Sequence, residues 1–179
     1  DSAQDPVWRD YCLQMLVTGW QNLAGRGGEE PDEARALSVR MLEGAACARG
    51  NAWPGTALLG LRLVSQSAPT AFPPEKTDRL ILGALYDRSA SEAARVTALR
   101  LAGERRLTEA RAMAEELARD AASTPMLRLC AVASLGDLGT CRDLLEELAA
   151  GSDPVLSGAA ARALSGIAKR EASANTNPN

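Results

Sequence analysis

Four cysteines, three pairs of adjacent glutamates and one glycine-rich stretch are the parts of this chain whose residue types and spacing suggest chemistry. Cys12, Cys47, Cys130 and Cys141 form an even set, which permits two disulfides in an oxidising compartment. A zinc site fits poorly, because no two cysteines stand in a C-x-x-C pair and the chain has no histidine. Without histidine, a serine or cysteine nucleophile would need one of the two lysines, Lys76 or Lys169, as an unusual base. General acid–base work needs two carboxyls in a cleft whose environments drive their pKa values apart. Glu29-Glu30, Glu115-Glu116 and Glu146-Glu147 instead fall on or beside polar helix faces; Glu115 stands four residues from both Arg111 and Arg119, an ordinary surface ladder. In "AGRGGEEP", Gly25, Gly27 and Gly28 invite a phosphate-loop reading, but no strand precedes them and no Gly-Lys-Ser/Thr follows. That stretch reads as a connector. The chain therefore reads as a non-enzyme with no cofactor and no metal.

The elements that would carry any site are helices. Alanine, leucine and arginine dominate, aromatics make up 3% of the 179 residues, and no stretch alternates apolar with polar for long. A formal charge of −3 and a pI near 5.1 lack the basic footprint of a nucleic-acid binder. No apolar run approaches the roughly 20 residues that span a bilayer. The start at Asp1 and the polar opening "DSAQD" fit an exported, periplasmic-type bacterial product from which a signal has been removed, with a cytoplasmic protein as the alternative.

Asp-Pro opens two apolar runs, at Asp5-Pro6 and Asp153-Pro154. An aspartate cap accepts orphan amides, and proline suits the first helical position, where its missing N–H costs nothing. Thr124-Pro125 is the same device, and Asn51 or a neighbour serves before Pro54. Ser89 and Glu92 stand in capping-box spacing, as do Thr140 and Asp143. Helix starts are thus expected near 6, 54, 92, 125 and 154, and glycines at 103, 136 and 166 are expected to end three of these helices. Between consecutive starts lies a second amphipathic stretch. Its inward residues are Leu37, Met41 and Leu42; then Leu80, Ile81, Ala84 and Leu85; then Ala110, Met113, Ala114 and Leu117; then Cys141, Leu144, Leu145 and Leu148. Small residues in "CAVASLG" and "GAAARALSG" allow close helix approach, so Ala133 is expected to be buried.

The repeating unit is a helix, a turn and an antiparallel helix, in approximate units 5–50, 51–88, 89–122, 123–152 and 153–168. The expected architecture is a single all-α domain over 1–168: a right-handed α-solenoid of about four stacked pairs plus a C-terminal capping helix, with a disordered polar tail over 169–179. The stretches "EAARVTALRLAGERRLTEARAMAEEL", "TPMLRLCAVASLGDLGTCRDLLEELAAGSD" and "DPVLSGAAARALSGI" resemble the HEAT and HEAT-like α-solenoid superfamily, clearest over 89–167.

That resemblance implies a concave face lined by the second helices, a surface for holding a protein or peptide partner. Its polar positions would be Arg79, Tyr86, Arg111, Glu115, Arg142 and Glu146, whose mixed signs suit a protein better than a polyanion. Phe72, in the connector "SQSAPTAFPPE", is the best candidate for an exposed anchor, although packing back onto the domain is the reading favoured for it. Trp8, Tyr11 and Trp20 would cap the end of the core, and Trp53 would staple the next helix. Each cysteine reads as a small buried hydrophobe; disulfides are the lesser alternative, because Cys130 would lie about 9 Å from its turn and Cys141 about 2 Å. HEAT-like repeats also occur in phycobiliprotein lyases, which handle a tetrapyrrole, and in DNA-repair glycosylases. A small-ligand carrier of the first kind, or a structural module of a larger exported protein, is therefore the rival to a binding scaffold.

Overall fold

In a computed structural model of the chain, which describes residues 5–24, 32–48, 53–70 and 72–175, both Asp-Pro pairs begin helices. Asp5 accepts the Val7 amide at 2.9 Å and opens α1, Pro6–Ala24. Asp153 accepts the amides of Val155 and Leu156 at 2.9 and 3.1 Å and opens α9, Pro154–Asn175. Thr124 accepts the Leu127 amide at 3.3 Å and opens α7, Pro125–Leu138. Each such cap contributes about 1 kcal/mol. The remaining helices are α2 (Asp32–Ala46), α3 (Trp53–Ser67), α4 (Pro74–Tyr86), α5 (Glu92–Arg105), α6 (Arg111–Arg119, led in by a 3-10 turn over Thr108–Ala110) and α8 (Arg142–Ala149). The described residues are all-α, with no strand.

Local corrections follow from tertiary contacts that spacing cannot show. Ser91, not Ser89, caps α5 by accepting the Ala94 amide at 3.3 Å; Ser89 instead bonds Asp87. Cys141 occupies the position before α8 in a left-handed conformation (φ 60°), and no side chain caps that end. The helices do not stop at Gly103, Gly136 or Gly166: α5 runs on to Arg105, α7 to Leu138 and α9 to Asn175. The left-handed turns fall at Arg106 (φ 55°) and Gly139 (φ 73°). Lys169–Asn175 therefore extend α9 rather than forming a disordered tail, and residues 176–179 lie outside the described set.

The chain divides into two compact units, Asp1–Ala98 and Leu99–Asn179. In the first, α3 packs against α1, α2 and α4. Asp10 of α1 accepts the Thr56 hydroxyl, and the Trp20 indole donates to Ser67 at 2.8 Å. The core holds Leu42, Leu58, Leu61, Val64, Phe72, Ile81 and Leu85. In the second unit α7 packs on α6 and α9, and α8 on α9, around Leu117, Val132, Leu135, Leu145 and Ile167. Consecutive helices meet in both units as α2 on α3, α6 on α7 and α8 on α9.

Several side chains lie on the other side of the core boundary from the one their spacing suggests, and one candidate anchor is buried. Leu37 and Met41 are 52% and 54% exposed; α2 turns Val39, Leu42 and Ala46 to the core instead. Ala133 is exposed, because α7 buries Ala131, Val132, Ser134 and Leu135 around it. Phe72 is 0% exposed. Its ring lies under the Lys76 ammonium, 5.0 Å from the centroid, so this connector folds back onto the core and presents no projecting anchor.

Candidate functional site

The six polar positions expected on the second helices lie on α4 (Arg79, Tyr86), α6 (Arg111, Glu115) and α8 (Arg142, Glu146). Arg111 and Glu115 meet directly, and the carboxylate gathers more than its ladder partners. Arg111 Nε donates to Glu115 Oε1 at 2.7 Å, Arg119 Nη1 donates to Oε2 at 3.3 Å, and Cys141 Sγ donates to Oε1 at 2.8 Å. The left-handed turn at Cys141 aims the thiol at α6, a contact between segments 26 residues apart that spacing gave no sign of. Arg142 pairs with Glu171 at 2.5 Å. Tyr86 and Glu146 are exposed, while Arg79 joins Cys47 and Asp87 in a cleft of about 210 Å³. Much of the charge expected to face a partner is thus engaged within the chain.

The thiol beside Glu115 is tuned against nucleophilic chemistry. Hydrogen bonding from Cys141, then from Arg111, holds the Glu115 carboxyl below the usual carboxylate range. Burial, then the bond to Glu115, pushes the Cys141 thiol up. A Cys–Glu nucleophile–base pair needs the opposite displacements. Glu115 contributes to stability above its unfolded pKa and loses that contribution as pH falls through its depressed folded value; Cys141 contributes below its unfolded pKa and loses it as pH rises through its elevated one.

All four cysteines are free thiols. Cys12 and Cys47 are exposed, so they are not the buried hydrophobes expected, whereas Cys130 and Cys141 are half-buried. Near neutral pH, iodoacetamide should label Cys12 and Cys47 first, with Cys130 and Cys141 slower by about tenfold or more, read by peptide mass spectrometry. Glu115→Gln should accelerate Cys141 selectively, since removing the adjacent carboxylate lowers the cost of the thiolate.

An apolar opening lies on the first unit, where α1 and α2 leave a groove of about 530 Å³. Trp8, Cys12, Leu16, Met41 and Ala45 line it, with Arg9 at its edge. Trp8, Tyr11, Met15, Leu37 and Met41 are between 50% and 54% exposed, and Trp8 stacks on Tyr11 with centroids 5.5 Å apart. Sequence reasoning placed the two aromatics together on α1. It missed the contribution of α2, because Leu37 and Met41 repeat at helical spacing just as core residues do. The glycine-rich stretch with Gly25, Gly27, Gly28, Glu29 and Glu30 lies outside the described residues, as does the Trp53 side chain. Among the described residues no group of three or more metal-ligating side chains converges, and no helix is long and apolar enough to cross a membrane. No protein-family model, curated protein or solved structure matches this chain.

Proposed function

We propose that this chain is a non-catalytic binding module of stacked helix pairs, of the right-handed HEAT-like α-solenoid kind, and that it holds a protein partner. The packing order within each unit supports the stacking, since α2 seats on α3, α6 on α7 and α8 on α9. The observation that carries the function is the solvent-facing groove between α1 and α2. Large aromatic and sulfur-bearing side chains left half exposed around an apolar concavity are what interface anchors and adaptable apolar grooves have in common. The partner surface is therefore this groove rather than the second-helix face, where Arg111, Glu115 and Arg142 are already paired. An amphipathic helix, laying its apolar stripe between Trp8 and Met41, is the partner chemistry that fits.

A small apolar ligand is the second reading, favoured by the groove's volume, which falls in the range of ligand pockets. One experiment separates them: capture from native extract on residues 1–179, compared with Trp8→Ala/Met41→Ala and with the charge swap Arg111→Glu/Glu115→Arg. A protein retained by wild type and by the swap, lost with Trp8→Ala/Met41→Ala, and whose helical peptide then quenches or shifts Trp8 fluorescence supports the proposal. Loss only with the swap returns the site to the second helices. A small molecule in the denatured eluate of wild type, absent from Trp8→Ala/Met41→Ala, makes the chain a carrier.

A further inference from the structure

Helix α9 carries one pattern twice, Ser-Gly-x-x-x-Arg, as "SGAAAR" over 157–162 and "SGIAKR" over 165–170. In both copies the arginine lies back over the glycine one turn earlier. Arg162 Nη1 is 3.5 Å from where a Cβ on Gly158 would sit, and Arg170 Nη1 is 3.6 Å from the corresponding point on Gly166. The glycines make room for the guanidinia to lie along the helix, and the offset of eight residues spaces them about 12 Å apart along its axis.

Both arginines line a groove of about 510 Å³ on the second unit, with Arg100 of α5 as a third. Its floor is made of small residues, among them Ala133, Gly136 and Ala163. Asp137 is the one acid on this lining against three arginines, a local charge of 3 − 1 = +2 within a chain of formal charge −3. Arg170 donates to the Gly136 carbonyl, while Arg100 and Arg162 make no hydrogen bond or ion pair with any described residue. Cys130 also lines the groove, close enough to Arg100 to feel its charge.

We infer that this groove binds an extended acidic peptide segment, taking the carboxylates of Asp or Glu residues spaced three or four apart against Arg100, Arg162 and Arg170. Guanidinia pair with carboxylates through two parallel N–H···O bonds, and a floor of alanine and glycine lets a peptide backbone lie close. A spacing of about 12 Å matches three to four residues of extended chain at about 3.4 Å each, and it exceeds the span of a small free dicarboxylate. Nucleic acid is disfavoured: no aromatic lines the groove to stack a base, and three positive charges fall short of the several phosphate contacts such binding uses.

The test is fluorescence anisotropy of the full chain with fluorescein-labelled Asp-Ala-Ala-Ala-Asp at low ionic strength, alongside its Asn-Ala-Ala-Ala-Asn counterpart and a short single-stranded oligonucleotide. Saturable binding of the acidic peptide is expected, weakened by salt and lowered about tenfold or more in Arg100→Gln/Arg162→Gln. Because both arginines are exposed, that variant should melt like wild type, which separates lost binding from lost fold. The acidic peptide should also slow alkylation of Cys130 without slowing Cys47. Absence of saturable binding, equal binding by the double variant or by the Asn peptide, or tighter binding of the oligonucleotide overturns the inference. None of these outcomes touches Trp8 or Met41, so failure here is distinct from failure of the α1–α2 groove.

Discussion

Phe72→Ala should destabilise the first unit by about 3–5 kcal/mol, the range for emptying a fully buried aromatic site. The side chain is 0% exposed, although it sits in a connector bounded by Pro69, Pro73 and Pro74. Its amide donates to the Ala68 carbonyl at 3.1 Å, and Pro73 is extended at φ −60°, ψ 142°, with Pro74 opening α4 directly after it. The ring thus anchors the crossing from α3 to α4, and the stiff proline backbone leaves the connector little freedom to collapse into the space left behind. Against a total stability of about 5–15 kcal/mol for a domain, this loss is large. Phe72→Leu, which keeps most of the volume, should cost less than half as much. Lys76→Met, which removes the cation over the ring and the ion pair to Glu43, should cost about 1 kcal/mol or less. Urea unfolding followed by far-UV circular dichroism orders the three variants. If Phe72→Ala unfolds with the wild-type midpoint, the residue does not hold the core and an interface role for it reopens.

How much of this was legible depends on the range of the chemistry involved. The odd-numbered helices were placed within a residue or two because a cap and a proline act on the four amides beside them. The glycines were misread for a related reason. A glycine at the end of an apolar run looks the same whether it supplies a left-handed turn, as Gly139 does, or lets another helix approach, as Gly136 does. Periodicity assigned Ile81, Ala84 and Leu85 correctly. It failed on α2, where Leu37 and Met41 form one apolar stripe and Val39, Leu42 and Ala46 another, and only tertiary packing decides which is buried. The candidate surfaces were half legible. Trp8 and Tyr11 share a helix and were seen together, and Arg111 and Glu115 share a turn. Cys141 reaching Glu115, Met41 facing Trp8, and Arg100 joining the α9 arginines all depend on helix contacts that no local pattern encodes.

A close approach of α7 to α9 makes the second large effect. A Cβ added at Gly136 would stand 2.6 Å from the Cβ and 3.1 Å from the Cα of Ala163, well inside the roughly 3.5–4.0 Å at which carbon atoms attract. The obstacle is the body of α9, not the end of a flexible side chain, so α7 and α9 would have to separate. Doing so loosens Val132, Leu135, Ala160 and Ile167, all buried in the second unit. Gly136→Val should therefore cost about 3 kcal/mol or more, at the upper end for overpacking a tight core. In Gly136→Ala the gain in helix propensity, about 1 kcal/mol, offsets part of the clash and leaves a smaller net loss. Gly139→Ala should lose only about 1 kcal/mol, because nothing stands near it and the cost is its φ of 73°. The decisive variant is Gly136→Ala/Ala163→Gly, which moves the methyl group from one helix to the other across the same gap. Stability recovered beyond the sum of the single changes, by thermal or urea unfolding, means the two backbones meet at this crossing. Strict additivity would mean that they do not, and that the packing of α7 on α9 is held elsewhere along their length.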